Sequence, residues 1–196
     1  MRIVSLLVLL VVAIASPACS GDPAREADKA AAAAAREAEL AAEAEARTAR
    51  LETQRLAALW TYNETTMVGA RQFSAAIRSA NSVDTDGLAE RAVLLVFRDH
   101  ATWGRSSYLV LQAGDFECAP RCSVTVVADD DAPRRMAARR PTSDDAIALF
   151  INDWQALWRL TGEATRISIE FPVRAGGTRT ATFDVAGLDE SKMSGW

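Results

Sequence analysis

The sequence predicts a mainly β protein: an antiparallel β-sandwich-like domain with one short helix, preceded by a long Ala-rich α-helix and a signal peptide. Three observations lead to this prediction. An apolar run follows the first two residues, a glycine-free stretch rich in Ala, Glu and Arg comes next, and short β-branched and aromatic runs separated by turns fill the remainder. We therefore divide the chain into a signal peptide over 1–18, an anchor and helical spacer over 19–58, and a β-rich domain over 59–196.

Residues 1–18 have the features of a secretory signal. Arg2 supplies one positive charge, residues 3–15 are almost all apolar, and small residues follow. The apolar run is shorter than the about 20 residues that a transmembrane helix needs. A buried core helix is the alternative interpretation, which the leading charge and Pro17 disfavour.

The motif Ser16-Pro17-Ala18-Cys19 resembles the lipobox of bacterial lipoproteins. This resemblance implies that the thiol of Cys19 receives diacylglycerol and that Cys19 becomes the acylated N-terminus. The family usually has Leu at the first motif position, so ordinary cleavage after residue 15 or 18, without lipid, stays open. Ser20 implies sorting to the outer membrane, facing the periplasm. Several acyl chains hold a protein stably on a membrane, whereas a single chain is marginal.

Residues 22–58 favour one long helix. Residues 30–35 are an unbroken alanine run, the flanking Glu and Arg are also strong helix formers, and Asp22-Pro23 places Pro at the first helical position. The few large apolar residues keep no heptad, so a solvated spacer is favoured over a coiled coil. Self-association through an Ala-rich seam and partial disorder are the alternatives. The last turn, 56–60, is expected to dock onto the domain that follows.

Beyond residue 59, alternating polarity and turn residues predict short strands. A segment capped by Ser143-Asp144-Asp145 and running to residue 151 is predicted to be helical or mixed. An amphipathic helix is predicted over 153–160, with Trp154 and Trp158 packing in the core, which is favoured over a role as a ligand platform. The predicted strands are 60–64, 73–80, 92–98, 107–113, 123–128, 134–138, 166–171 and 179–185.

The charge balance argues against a nucleic-acid partner. The formal net charge is −4, and removal of 1–18 takes away the one charge of Arg2, which leaves −5. Proteins that bind nucleic acid usually present a strongly basic face. The chain has one histidine, His100, which makes His-based metal cages and triads hard to assemble. We expect no cofactor and no metal site.

Cys118 and Cys122 lie between two predicted strands and are expected to form a disulfide. In an exported protein that is the default state of such a pair, here closing a five-residue ring around Pro120. Because the ring is short, the bond mainly fixes the geometry of the turn. Zinc binding and redox catalysis are the disfavoured alternatives.

Three polar groups are candidates for function, each with a plainer interpretation. Asp129-Asp130-Asp131 lacks the ligand pattern of an EF-hand and is expected to be a solvated hairpin tip. The arginines 134, 135, 139 and 140 are suited to an anionic partner, such as lipid headgroups or acidic glycan, although edge-strand charges that prevent aggregation are favoured. Asp99-His100 lacks a nucleophile elbow for triad chemistry.

The order of several short motifs resembles a group of uncharacterised bacterial lipoproteins and exported proteins. The likeness covers about residues 60–188 and implies a small β-rich periplasmic domain without an assigned reaction. It supplies no catalytic residues. The motifs are Trp60-x-Tyr62, Met67, Ser79-x-Asn81, Gly114-x-Phe116-x-Cys118, Cys122-x-Val124-x-Val126, Leu149-Phe150-Ile151 and Phe183-Asp184-Val185-x-Gly187-Leu188.

Together these features predict a membrane-anchored lipoprotein of the bacterial cell envelope that is not an enzyme. Its membrane contact is the lipid on Cys19, and its domain is expected to bind another envelope component, either protein or glycan. A structural tether without a specific ligand is the first alternative. An envelope hydrolase that uses Asp or Glu is the second, and a cleft with two inward carboxylates of strongly shifted pKa would favour it.

Overall fold

The computed structural model describes residues 22–141, 147–193, 195 and 196. The signal segment 1–18, Cys19 and the cap expected at 143–145 lie outside these residues. Within the described ranges, no helix combines the length and hydropathy that a membrane span requires.

Helix α1 runs over Pro23–Ala57, and none of its residues is buried. The carboxylate of Asp22 accepts a hydrogen bond from the backbone N–H of Ala24 at 3.2 Å, which helps to satisfy the first turn. The absence of a buried stripe agrees with the small number of large apolar residues in this segment. Its helicity therefore follows from the propensity of Ala, Glu and Arg.

The described residues divide into two compact units, one that ends at Arg47 and one that begins at Thr48. The second unit begins before the predicted boundary at 58/59, so the end of α1 belongs with the sheet. The reason is a close approach at Gly187, where a Cβ would collide with the backbone of Leu56. The next aromatic, Trp60, is only 5% exposed, and its indole N–H donates to the carbonyl of Val185 at 3.3 Å. The end of the helix is thereby held against the domain.

In the described part of the chain, nine antiparallel strands form one sheet, and the predicted mainly β class is confirmed. All eight predicted strands are present, several of them longer than expected. Their order in the sheet is β1-β2-β3-β4-β7-β6-β5-β8-β9. The strands are β1 Trp60–Met67, β2 Ala70–Asp84, β3 Glu90–His100, β4 Gly104–Val110, β5 Cys122–Ala128, β6 Arg134–Arg139, β7 Ala148–Ile151, β8 Arg166–Pro172 and β9 Thr178–Asp184.

The sheet rolls up so that β9 lies beside the second half of β2. A register shift between Arg78 and Ser82 bends β2 away from its regular pairing with β3. At this bend the side-chain amide of Asn81 donates to the carbonyl of Thr180 and accepts from the N–H of Thr182, each at 2.8 Å. The Asn81 side chain thus supplies ladder-type hydrogen bonds between β2 and β9.

Helix α2, Trp154–Glu163, covers part of the core. The carboxylate of Asp153 caps its start by accepting from the N–H of Ala156 at 3.0 Å. The buried face includes Leu157 and Trp158, which agrees with the predicted amphipathic helix, although the helix extends beyond residue 160. The largest fully buried side chains are Ile77, Leu95, Phe97, Leu109, Phe116, Leu149, Leu157, Ile167, Ile169, Phe171, Phe183 and Met193.

The prediction that residues 143–151 are helical or mixed is wrong at its C-terminal end, where Ala148–Ile151 form β7. This strand lies between β4 and β6, and three of its four residues are buried. The sequence of a short strand that is covered on both sides is a continuous apolar run. Hydrophobic periodicity therefore cannot distinguish such a strand from a buried helix.

Candidate functional site

An arginine–aromatic row crosses the outward face of the sheet, and we define it as Trp103, Arg98, Tyr108, Phe150 and Arg139. The strand register brings these residues together, because Tyr108 lies opposite Phe150, and Phe150 lies opposite Arg139. The rings of Tyr108 and Phe150 are 5.0 Å apart between centroids. The guanidinium of Arg139 lies 5.1 Å from the centroid of Phe150. The row therefore alternates cations with aromatic surface.

Arg98 lies at the centre of this row. Its guanidinium carbon is 5.7, 5.5 and 5.8 Å from the ring centroids of Trp103, Tyr108 and Phe150, respectively. Cation–π contacts of this kind contribute about 0.5–2 kcal/mol. Among the described residues Arg98 has no carboxylate partner, and its Nε is buried without an acceptor. The aromatic contacts hold the charge in place but leave its hydrogen-bond donors unused.

Unsatisfied polar atoms concentrate beside Arg98. In the described part of the chain, four buried side-chain nitrogen or oxygen atoms lack a hydrogen-bond partner, and three of them are Nε of Arg98, Oγ of Ser106 and Oε1 of Gln72. Ser106 lies opposite Arg98 on β4, and Gln72 lies opposite His100 on β2. Leaving such a group unpaired costs about 1–3 kcal/mol each, so the polar atoms beneath the row are left at an energetic cost.

Tyr108 adds a neutral hydroxyl to the row. Burial raises the pKa of the Tyr108 phenol above its ordinary value, and the positive charge of Arg98 lowers it by a smaller amount. The phenol is therefore protonated at neutral pH. The row carries two positive charges, and its own residues include no carboxylate to balance them.

The histidine is structural in this arrangement. The ring of His100 stacks on Trp103 with centroids 3.9 Å apart, and its Nδ1 accepts from the N–H groups of Thr102 and Trp103 at 3.1 and 3.2 Å. Its Nε2 lies 3.3 Å from the carbonyl of Met67. The neighbouring Asp99 instead pairs with Arg105, at 3.5 Å. His100 therefore fixes the β3–β4 turn and presents Trp103, which is 54% exposed.

The basic segment around β6 separates into several roles, and its interpretation as edge-strand charge is wrong for Arg139, which pairs with Phe150 of β7, whereas that ladder does not extend to Arg134 and Arg135. β6 lies inside the sheet between β7 and β5. Arg140 forms an ion pair with Asp115, and the Nε of Arg135 donates to Ser123 at 2.7 Å. Arg139 belongs to the row, whereas Arg134 is exposed at the opposite end of β6. Of this group, Arg139 is the one that joins the aromatic surface.

The predicted solvated tip holds one residue with a structural role. Asp129 has a positive φ of 46°, and its carboxylate accepts from the hydroxyl and N–H of Thr165 and from the N–H of Arg166. The hydrogen bond from the Thr165 hydroxyl, followed by the backbone bonds, lowers the pKa of Asp129. Asp130 and Asp131 are exposed, as expected of a tip.

A groove of about 680 Å³ lies between this tip and the end of α1. Its two arginines are already paired, Arg55 with Glu52 at 2.8 Å and Arg166 with Asp184 at 2.9 Å. This groove therefore offers fewer free charges than the row.

Cys118 and Cys122 are joined in a disulfide. Cys118 is buried and Cys122 is partly buried next to the core. In the parts of the chain that the structure describes, no group of three or more His, Cys, Asp or Glu residues is arranged to hold a metal ion.

A pocket of about 260 Å³ opens at the end of the row, where β7 stops and α2 starts. Arg139, Phe150 and Ser106 reach it from the outward face, while Arg105 and Trp154 line its other side. The guanidinium of Arg105 lies 5.5 Å from the ring centroid of Trp154. Two arginines from different strands thus border one small cavity.

Sequence reasoning missed most of this site. Arg98, Ser106 and Phe150 come from three strands, and only the register of the sheet reveals that they are neighbours. One signal was available: Arg98 directly follows the apolar run 93–97, where a charge on a central strand needs a partner.

No family model matches the chain, and comparisons with curated proteins and with solved structures find no significant similarity. The resemblance to exported β domains therefore stays a prediction.

Proposed function

We propose that this protein is a membrane-anchored lipoprotein of the bacterial envelope, cut before Cys19, whose β-rich domain binds another envelope component without catalysing a reaction. The partner is an anionic surface of a protein or a glycan, and it binds along the arginine–aromatic row. The anchor rests on the motif that ends at Cys19 and the outer-membrane address on Ser20. The row and the anchor are independent parts of the proposal.

The observation that carries the binding function is the unpaired charge of the row. The protein as a whole is acidic, with a net charge of −4, yet Arg98 and Arg139 lie side by side with aromatic rings and with no carboxylate partner among the described residues. Arginine and aromatic residues are enriched where proteins bind partners, because both provide contact area at low entropic cost.

The carboxylates support a binding function over hydrolysis. Acid catalysis needs a carboxyl group whose pKa is raised towards neutrality. Hydrogen bonds lower the pKa of Asp86, Asp129 and Asp189 instead, from the backbone of Leu88 and Ala89, from Thr165 and from Ser191, respectively. Asp129 is exposed, Asp86 and Asp189 are partly buried, and all three act as turn or cap acceptors.

The binding function is tested with the full-length protein in detergent, applied to immobilised envelope extract. We expect retention of the wild type, loss of retention for the double variant Arg98→Gln, Arg139→Gln, and full retention for Arg134→Gln. The control removes the same charge from the same strand as Arg139, away from the row. Protease treatment of the extract removes a protein partner, and periodate treatment removes a glycan. Equal retention of all variants would refute binding through the row and favour the tether.

The anchor is tested by intact mass. Membrane and soluble fractions of cells that express the wild type or Cys19→Ser are compared. We expect a mature membrane-bound chain that starts at Cys19 and carries diacylglycerol and acyl mass, which the variant lacks. An unmodified soluble chain cut after residue 15 or 18 would contradict lipidation.

A further inference from the structure

The pocket at the end of the row exists because neighbouring strands end at different points. β7 ends at Ile151, and the next N–H, of Asn152, donates to the carbonyl of Ala137 on β6 at 2.9 Å. The first residues of β4, Gly104 to Ser106, pair with β3 but have no strand partner on their other side in the described sheet. The chain thus turns towards β6 and leaves an opening beside β4.

The polar groups around this opening are suited to a carboxylate. Arg139 lies on β6 and Arg105 on β4, and both residues line the same cavity. The Nε of Arg105 pairs with Asp99 at 3.5 Å, and Arg139 has no ion-pair partner among the described residues. A guanidinium presents donors in a planar fork that matches a carboxylate. The pocket therefore retains positive charge after its internal pairing.

The remaining lining is suited to a ring that bears hydroxyl groups. Asn152 adds an amide with both donor and acceptor capacity. Trp154 and Phe150 supply apolar surface, and Trp154 is braced by Trp196 at 5.1 Å between ring centroids. An aromatic wall can pack against the apolar face of a sugar ring while polar groups take its hydroxyls.

We propose that this pocket binds one carboxylate-bearing sugar residue of an acidic glycan, of the uronic acid class. The inference rests on the proposed binding function and specifies its ligand. Arg139 and Arg105 bind the carboxylate, Asn152 binds a hydroxyl, and an aromatic wall packs against the ring. The volume of about 260 Å³ is small beside the roughly 300–1,000 Å³ of pockets for drug-sized ligands, which suits a single sugar unit.

Other anions use these features less completely. A phosphate group engages the guanidinium forks but leaves the aromatic walls and the amide without a role. An acidic peptide that adds to the open edge of β4 finds only three unpaired residues, Gly104 to Ser106, which is shorter than an ordinary strand. The combination of forks, hydroxyl-binding groups and rings therefore favours the sugar.

The test measures binding of a diglucuronate probe to the full-length protein in detergent by calorimetry. We expect Arg139→Gln to weaken binding about tenfold or more, because a charge-assisted hydrogen bond is lost, and Asn152→Ala to weaken it by a smaller factor. Arg134→Gln, the matched control, is expected to bind like the wild type. The methyl ester of the probe keeps the ring and removes the charge, so it is expected to bind at least tenfold more weakly.

Several outcomes would overturn this inference. The first is equal affinity for the acid and its methyl ester, and the second is an equal loss of affinity in Arg139→Gln and Arg134→Gln. The third is displacement of the probe by inorganic phosphate or an oligoglutamate peptide at the same concentration. Failure here is distinguishable from failure of the proposed function. If the uronate does not bind but the row variants still lose retention on envelope extract, the ligand class is wrong and the binding function stands.

Discussion

Replacement of Asn81 by Ala tests how the sheet is closed. The change removes the two hydrogen bonds of 2.8 Å that join Asn81 to Thr180 and Thr182. Each such bond contributes about 0.5–1.5 kcal/mol net, and because Asn81 is exposed, water replaces part of the loss. We therefore expect the free energy of unfolding to fall by about 1–2 kcal/mol.

The assay is urea denaturation followed by tryptophan fluorescence. With a slope near 2 kcal/mol/M, the expected loss moves the midpoint down by roughly 0.5–1 M. Asn63→Ala is the control, because Asn63 is also exposed on a strand, β1, and forms no side-chain hydrogen bond in the described structure. Its free energy of unfolding is expected to change by less than about 0.5 kcal/mol. Equal shifts for the two variants would refute the role of Asn81 in closure.

Three further predictions concern stability. Hydrogen bonds lower the pKa of Asp129 in the folded state, so its ionised form stabilises the fold above the unfolded pKa of about 3.9, and this contribution is lost as the pH falls through the folded pKa. The difference in free energy of unfolding between wild type and Asp129→Asn should therefore be constant near neutrality and become smaller in acid. A difference that does not vary with pH across a series of denaturation experiments would contradict this. Phe97→Ala empties a fully buried site between Trp60 and Trp158 and should cost about 3–5 kcal/mol, with loss of near-UV circular dichroism; a loss below 1 kcal/mol would show that the core is loosely packed there. Replacing both Cys118 and Cys122 by Ser should cost about 2 kcal/mol in thermal unfolding, because the closed loop is short, and a much larger loss would indicate that the bond does more than fix the turn.

The strands were predictable because each has one face inside the core. In 166–171 and 179–185, Ile and Phe side chains point into the core and alternate along the strand with Ser, Thr and Glu, which point outward. β7 was not predictable in this way, since neighbouring strands and packing cover it on both sides. The bend of β2 was likewise hidden, because it depends on Asn81 meeting β9, about a hundred residues later in the chain.

The candidate site was only partly predictable. Charge in the segment 134–140 suggested an anionic partner, and one member, Arg139, lies in the row. The rest of the site depends on which residues share a face of the sheet. Tyr108 and Phe150 are 42 positions apart (150 minus 108) and meet only because β7 inserts beside β4. A sequence pattern within one strand carries no information about that pairing.

The position of β7 has a consequence for the dynamics of the domain. Strands β1 to β4 are consecutive in the sheet, as are β6, β5, β8 and β9. The four-residue β7 links these two groups on one side, and Asn81 of β2 joins β9 on the other. So short a ladder makes β7 the natural place for sub-global opening, visible as faster amide hydrogen exchange at Ala148–Ile151 than in β3. A ligand held between Arg105 on β4 and Arg139 on β6 bridges the two strands that flank β7. By linkage, its binding free energy would oppose the opening, so occupancy of the pocket should slow amide exchange throughout β7, including Ala148 and Leu149, which do not line the pocket.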